Sequence, residues 1–366
     1  MIRPAFLSVL ALLLLGGGPA AADFTATVSK VAPLTGPTAP GEMKTPDICG
    51  TDLGIVTETP SRLYFAFGDT FGYAGNACPR FGPDWRSNVF AHTSDRDPGD
   101  GIALDGWLTD PATGRAKAVT EGKHQPAFAG EQTRIPTALL AVGDALYLHF
   151  MSVHGFAARG GVWDCNFSRF ASSADGGESW REATQDFGDA KSPFDMLALA
   201  SAPVGGDGYV YALGTPCGRF GGAHAGRVKP ADILDPAGWR YFDGKAWVAG
   251  QDRAAEVIPA PVGEGSLAWN PGLGQWMFTS LNEQTARIEL RLAPRPEGPW
   301  GEAIPLARSK DYPALYGAFL TPAFIASDGM SFYFVMSQFG PYNTFIMHAV
   351  LRRASPDQGA ASARGG

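Results

Sequence analysis

Five segments of this chain share one grammar: Tyr64–Phe71 (YFAFGDTF), Tyr147–Val153 (YLHFMSV), Tyr209–Thr215 (YVYALGT), Trp276–Asn282 (WMFTSLN) and Phe332–Phe339 (FYFVMSQF). Each is an aromatic, β-rich run that follows a turn and closes on small or polar residues. Another apolar strand precedes each one, at Leu53–Val56, Thr137–Val142, Met196–Ala200, Ser266–Trp269 and Leu320–Ala326. A third strand follows, at Ser87–Thr93, Ser168–Ser173, Ala223–Val228, Ile288–Ala293 and Phe345–Leu351. Copies of about 60–70 residues with this content fit the blades of a propeller. The expected fold is therefore all-β, a five-bladed β-propeller with four-stranded blades. Segments such as Trp239–Trp247 supply fourth strands, and Phe24–Val31 supplies the strand that joins the last blade to the first.

Composition agrees with short strands and many turns: 47 Gly, 29 Pro and 11% aromatics, with little helical periodicity. Ser173-Ala174-Asp175-Gly176-Gly177-Glu178-Ser179-Trp180 fits the S-x-D-x-G-x-[ST]-W Asp-box, a turn between outer blade strands. Asp175 is read as a structural cap that accepts backbone N–H groups while the tryptophan packs beneath.

Residues 1–22 read as a secretory signal, with Arg3, the apolar run Phe6–Leu15 and small residues at Ala20–Ala22. That run is too short to span a bilayer. The expectation is a secreted or periplasmic protein, not membrane-bound once the signal is removed. It would consist of one catalytic propeller domain (23–354) and a disordered tail (355–366), and would act as a monomer. A net charge of −7 argues against nucleic acid or anionic membranes as partners and suits a neutral polysaccharide.

Propeller strands run alternately up and down, so starts of first strands and ends of second strands share one face. That rule gathers Asp52 and Asp69, Arg134 and His154, Asp195 and Thr215, Glu264 and Asn282, and Thr321 and Gln338, blade by blade. Asp52 and Asp69 flank a single hairpin, and two carboxylates at one opening are the minimum for acid/base cleavage of a glycosidic bond. An aspartate beside glycine is also a common turn former, and pattern alone leaves the two readings level. Arg134 competes with a counter-ion role, Glu264 with a loop role. Trp85, Trp163 and Phe220 are either sugar-stacking platforms or rim packing, the latter favoured for any single one.

The same rule places Cys49, Cys78, Cys165 and Cys217 on that face. Four cysteines in an exported chain favour disulfides, with three connectivities available. Cys49–Cys78 and Cys165–Cys217 are preferred, because they would pin the rim loops. No C-x-x-C knuckle supports zinc. His149 and His154 do not form H-E-x-x-H and are read as packing or hydrogen-bonding within the sheet. There is no G-x-S-x-G elbow, P-loop or dinucleotide fingerprint, so no cofactor or metal is expected. Asn166-Phe167-Ser168 matches a glycosylation sequon.

Several ordered motifs together resemble the bacterial domain of unknown function family numbered 4185, whose members include secreted endo-D-arabinanases. They are Thr51-Asp52-Leu53-Gly54, Phe67-Gly68-Asp69-Thr70-Phe71, Trp85-Arg86-Ser87-Asn88-Val89, Ile135-Pro136-Thr137 and His149-Phe150-Met151-Ser152-Val153. Further on come Phe220-Gly221-Gly222-Ala223, Trp269-Asn270-Pro271, Met336-Ser337-Gln338 and Pro341-Tyr342-Asn343. The resemblance implies a five-bladed propeller hydrolysing an α-linked furanoside polymer, with Asp52 and Asp69 as the catalytic carboxylates. It also implies that Arg86, Ser87 and Asn88 orient that pair or hold a sugar hydroxyl. Thr321 departs from the histidine expected there in many relatives. Asp69, after the more apolar strand, is the favoured acid, and Asp52 the base or nucleophile. Expected substrate-binding residues are Arg86, Asn88, Arg134, Asp195, Glu264, Asn282, Thr321 and Gln338. The alternatives are a non-catalytic carbohydrate-binding propeller and an exo-acting arabinofuranosidase or sialidase-like enzyme. The last would need three arginines on a sugar carboxylate, and only Arg86 and Arg134 offer themselves.

Overall fold

The apolar runs assemble into five antiparallel sheets around a ring in the computed structural model, which describes residues 24–354. The signal and tail expectations lie outside those residues. Blade one is Leu53–Glu58, Leu63–Phe67, Val89–Thr93 and Gly106–Trp107. Blade two is Thr133–Val142, Ala145–Phe156 and Trp163–Ser173, with short outer strands Arg181–Glu182 and Gly188–Asp189 both pairing with the third. Blade three is Met196–Ser201, Val210–Thr215, Ala223–Val228 and Arg240–Phe242, extended by Trp247–Val248 and Glu256–Ile258. Blade four is Gly265–Asn270, Gln275–Asn282, Arg287–Ala293 and Ile304–Arg308. Blade five is Leu315–Phe319, Ser331–Gln338, Asn343–Arg353 and, outermost, Phe24–Pro33.

Each innermost strand packs against those of the neighbouring blades, and the fifth returns to the first. Stacking blade on blade buries both faces of the central strands, which is why Leu63–Phe67 is apolar throughout and fully buried instead of alternating. The amino-terminal strand pairs with the last strand from Phe24↔Arg353 to Pro33↔Phe345, closing the ring with residues from both chain ends. No helix among the described residues is long and apolar enough to cross a membrane.

Both preferred disulfides are present: Cys49–Cys78 within blade one and Cys165–Cys217 between blades two and three. The Asp-box is structural. Ser179 donates to Asp175 through its backbone N–H (3.0 Å) and its hydroxyl (2.5 Å), and Trp180 packs edge-on against Phe90 of blade one.

Blade five corrects the sequence reading. Its inner strand is Leu315–Phe319, not Leu320–Ala326, which holds the short 3-10 turn Pro322–Phe324 and an isolated bridge from Ile325 to Phe332. Gly317 adopts φ +64°, and the register slips between Tyr316 and Phe319. That irregularity breaks the β-rich run that would have marked the strand.

Candidate active site

Strand pairing Leu53↔Phe67 leaves Asp52 and Asp69 just beyond one end of the first hairpin of blade one. Leu53 holds φ +65°, Gly54 follows at +78°, and a bulge separates Leu53 from Ile55. A branched residue in the left-handed region is strained. Here it is held by Ser337, whose hydroxyl accepts the Leu53 N–H at 2.8 Å. The bulge re-aims the adjoining side chain, and Asp52 lies against the backbone of Gly68. A Cβ at Gly68 would collide with Asp52 Oδ1, so glycine there leaves the carboxyl its place.

Asp52 Oδ2 accepts the Tyr316 hydroxyl at 2.7 Å, while its buried Oδ1 has no partner. Asp69 Oδ1 accepts from Trp85 Nε1 at 2.7 Å and from Thr133 Oγ1 at 2.5 Å. Both carboxyls open partly to the cleft but are otherwise enclosed by protein, and burial is the main force on their protons. It raises Asp52 to about 7, helped by the negative Glu264 and opposed by the Tyr316 hydrogen bond and Arg219. It raises Asp69 to about 8, opposed by its Thr133 and Trp85 donors and helped by repulsion from Asp52 and Glu121.

Glu264, the third predicted acid here, opens the inner strand of blade four and is clamped by Arg219, with contacts of 2.8–3.1 Å. Arg219 sits over the Tyr316 and Trp163 rings at 5.0 and 5.6 Å and reaches Glu283 at 3.6 Å. It follows Cys217 by two residues, so the interblade disulfide fixes the loop that carries it. Asp52, Asp69, Glu264, Arg219, Tyr316 and Tyr342 line a cleft of about 690 Å³, with contributions from all five blades. Its walls include Phe71, Phe81, Trp85, Phe156, Trp163 and Phe339, which form a largely apolar surface with a polar floor.

Several predicted binding residues stand elsewhere. Arg86 is buried and donates to the Pro46, Asp47, Asp84 and Ala116 carbonyls. Asn88 ties Val119, Thr120 and Arg134 backbone groups together. Both brace the loops of blade one instead of lining the cleft. Ser87 does similar work, its hydroxyl accepting from Gly122. Arg134 is neutralised by Glu131 and Glu182. Asn282 bonds Thr285 and Glu289, and Gln338 bonds Lys30 and the Pro313 carbonyl. Thr321, beyond the end of the true inner strand, is buried toward Glu58, away from the cleft.

Asp195 is fully buried with neither oxygen hydrogen-bonded, close to Cys165 and Cys217, and lies outside the cleft lining. Thr215 borders a small void of about 20 Å³ in the channel below Glu264. His149 is buried against Phe170 and Phe187 with its pKa lowered to about 3, and His154 bonds the Gly130 carbonyl.

Arg219, Tyr316 and Thr133 escaped sequence reasoning. Tyr316 is in the strand that was displaced, and Thr133 begins an inner strand placed four residues too late. Arg219 adjoins Phe220-Gly221-Gly222-Ala223, the motif that could have flagged it. Trp85, read as packing, is both packing on Phe71 and a donor to Asp69.

No curated protein matches the chain. Among solved structures it resembles a provisionally assigned hydrolase from Bacteroides ovatus ATCC 8483, with TM-score 0.59 and 11% identity, covering 88% of this chain and 90% of that one. It also resembles Zg3597, a family 117 glycoside hydrolase of the marine bacterium Zobellia galactanivorans, with TM-score 0.51 and 12% identity, covering 94% and 99%. At such identities these likenesses establish the fold alone. The family profile described as Domain of unknown function (DUF4185) matches residues 39–348, and the chain belongs to that family.

Proposed function

We propose that the protein is a glycoside hydrolase that cleaves a furanoside polysaccharide, D-arabinan first among candidates, within the chain. The observation that carries this is the pair Asp52 and Asp69, two carboxyls with raised proton affinity on the floor of an aromatic-walled cleft. Asp69 keeps its proton to about pH 8 and donates it to the leaving oxygen. Asp52, ionising near 7, acts as base or nucleophile. Tyr316 remains a neutral donor, its own pKa raised well above the usual value by burial and by Asp52. It steadies the Asp52 carboxylate as negative charge forms. Arg219 balances Glu264, so the floor carries little net charge beside the reacting pair. The fold of Zg3597, a glycoside hydrolase by its name, supports the reading.

A binding surface that runs on beyond the reaction centre favours internal cleavage. Arg159, Gly160 and Glu283 border both the cleft and a second groove, so the binding surface continues past the reaction centre. The test is a polysaccharide panel that includes D-arabinan, comparing wild type with Asp52→Asn and Asp69→Asn. Release of oligosaccharides by wild type, abolished in both variants, is expected. Binding without cleavage by all three would replace the hydrolase with a carbohydrate-binding propeller, and cleavage of another glycan would keep the mechanism and change the substrate.

A further inference from the structure

The loop Ala157–Val162 crosses the boundary between the cleft and the second groove, a space of about 700 Å³ whose lining includes Arg159, Phe220, Pro261 and Gln284. It is a tight turn: Ala157 N–H donates to the Val162 carbonyl at 2.9 Å, and Val162 N–H to the Arg159 carbonyl at 3.3 Å. The Gly161 carbonyl accepts the Arg219 N–H at 2.9 Å, which fastens the loop to blade three. Gly161 holds φ +76°, and a Cβ there would press on Arg219 and Phe220 at 3.2 Å, so glycine is what lets the loop settle onto them.

That seating puts the Arg159 guanidinium over the face of Phe220, 4.4 Å from the ring centroid. The side chain is exposed, and no carboxylate among the described residues pairs with it. Arg219, on the blade-three loop to which this one is fastened, shows the contrast: it is engaged by Glu264 and Glu283. Glu283, the acid that shares the groove, is drawn toward Arg219 at 3.6 Å and not toward Arg159. A guanidinium over a ring face keeps the N–H groups of its own plane free, where they match the two oxygens of a carboxylate or the oxygens of a phosphate.

We propose that the groove beside Arg159 and Phe220 is a distal subsite for a sugar unit bearing an anionic substituent, so that the substrate is an acid-decorated polysaccharide. The inference rests on the hydrolase reading for its polymer, and it adds the chemical class of the decoration. The scissile unit stays neutral, because the ionised Asp52 carboxylate would repel an anionic group placed beside it. The charged unit lies farther along the same chain. Phe220 holds the Arg159 guanidinium in place, and Arg159 meets the unit's charge.

The experiment uses D-arabinan and the same polymer carboxymethylated to low density, with wild type, Asp69→Asn, Arg159→Gln and Arg159→Lys. Binding is read by affinity electrophoresis on the Asp69→Asn background and cleavage by reducing-end release with wild type; melting temperatures verify folding. The carboxymethylated polymer should bind about three- to tenfold tighter. Arg159→Gln should erase the preference, and Arg159→Lys should keep part of it. Equal binding of both polymers, or a preference that survives Arg159→Gln, overturns the subsite, as does failure to bind either. Cleavage without preference leaves the hydrolase reading intact. Preferential binding lost in Arg159→Gln, with no cleavage by wild type, retains the subsite and removes the hydrolase.

Discussion

Asp69 and Asp175 both sit beside glycine, both accept two or more hydrogen bonds, and they hold protons at opposite extremes. In the Asp-box, Asp175 is held down to about 2 by Ser179 and Ser173 at an exposed turn. In the cleft, Asp69 is pushed up to about 8 although Trp85 and Thr133 donate to it. Donors favour the ionised form in both places. What differs is solvent: at the turn water solvates the charge, whereas in the cleft burial and a neighbouring acid outweigh the donors. Hydrogen-bond inventory therefore does not set the proton affinity of these carboxyls; their enclosure does.

The comparison can be broken most forcefully at Asp69. Asp69→Asn keeps both accepted hydrogen bonds and removes only the proton, so kcat should fall about 10²- to 10⁴-fold with the fold intact. Asp175→Asn should leave kcat unchanged. Equal effects, measured by reducing-end release, would erase the distinction. Gly68→Ala should be nearly as damaging, because its Cβ would displace Asp52 Oδ1; a variant with wild-type kcat would show that Asp52 placement is not needed.

The pH–rate profile sharpens the comparison. The proposed mechanism requires Asp52 ionised and Asp69 protonated, so kcat should follow a bell with limbs near 7 and 8 that belong to the pair. Asp175→Asn should not move either limb.

Stability gives the smallest effect and reverses sign between the two residues. Unfolded, Asp69 ionises near its usual 3.8; folded, it keeps its proton to about 8. The folded state binds the extra proton across that window, so its contribution to stability declines as pH rises through it. Asp69→Asn should therefore melt higher than wild type at about pH 8.5, with the gain shrinking toward about pH 4. Asp175 is the depressed case. Its contribution is present above the unfolded value of 3.8 and lost as pH falls toward 2. Asp175→Ala should lower the melting temperature slightly at neutral pH and less at about pH 2.

Much of the architecture was legible in the chain. The repeated aromatic strands, the closing strand at Phe24, the Asp-box turn and both disulfide pairings follow from a pattern in which blade topology dictates which ends share a face. The aspartate pair was legible for the same reason, as both lie at the ends of one hairpin. The rest of the cleft was not. Tyr316 was concealed by a strand whose glycine breaks the β-rich run, and Thr321 was credited in its place. Arg86 and Asn88 were expected at the site from a matching motif, and a motif does not say whether its polar side chains face the substrate or the loops behind it.

By itself, the sequence determined the number of blades, how the ring closes and which strand ends share a face, because hydrophobic periodicity and turn chemistry are local and repeat with the fold. Only the tertiary structure decided which polar groups enter the cleft. The Asp52–Tyr316 bond joins residues 264 positions apart, and Arg219 reaches Glu264 across two blades. Such contacts, and the enclosure that raises Asp69, depend on how blades pack around a common axis, which no local pattern encodes.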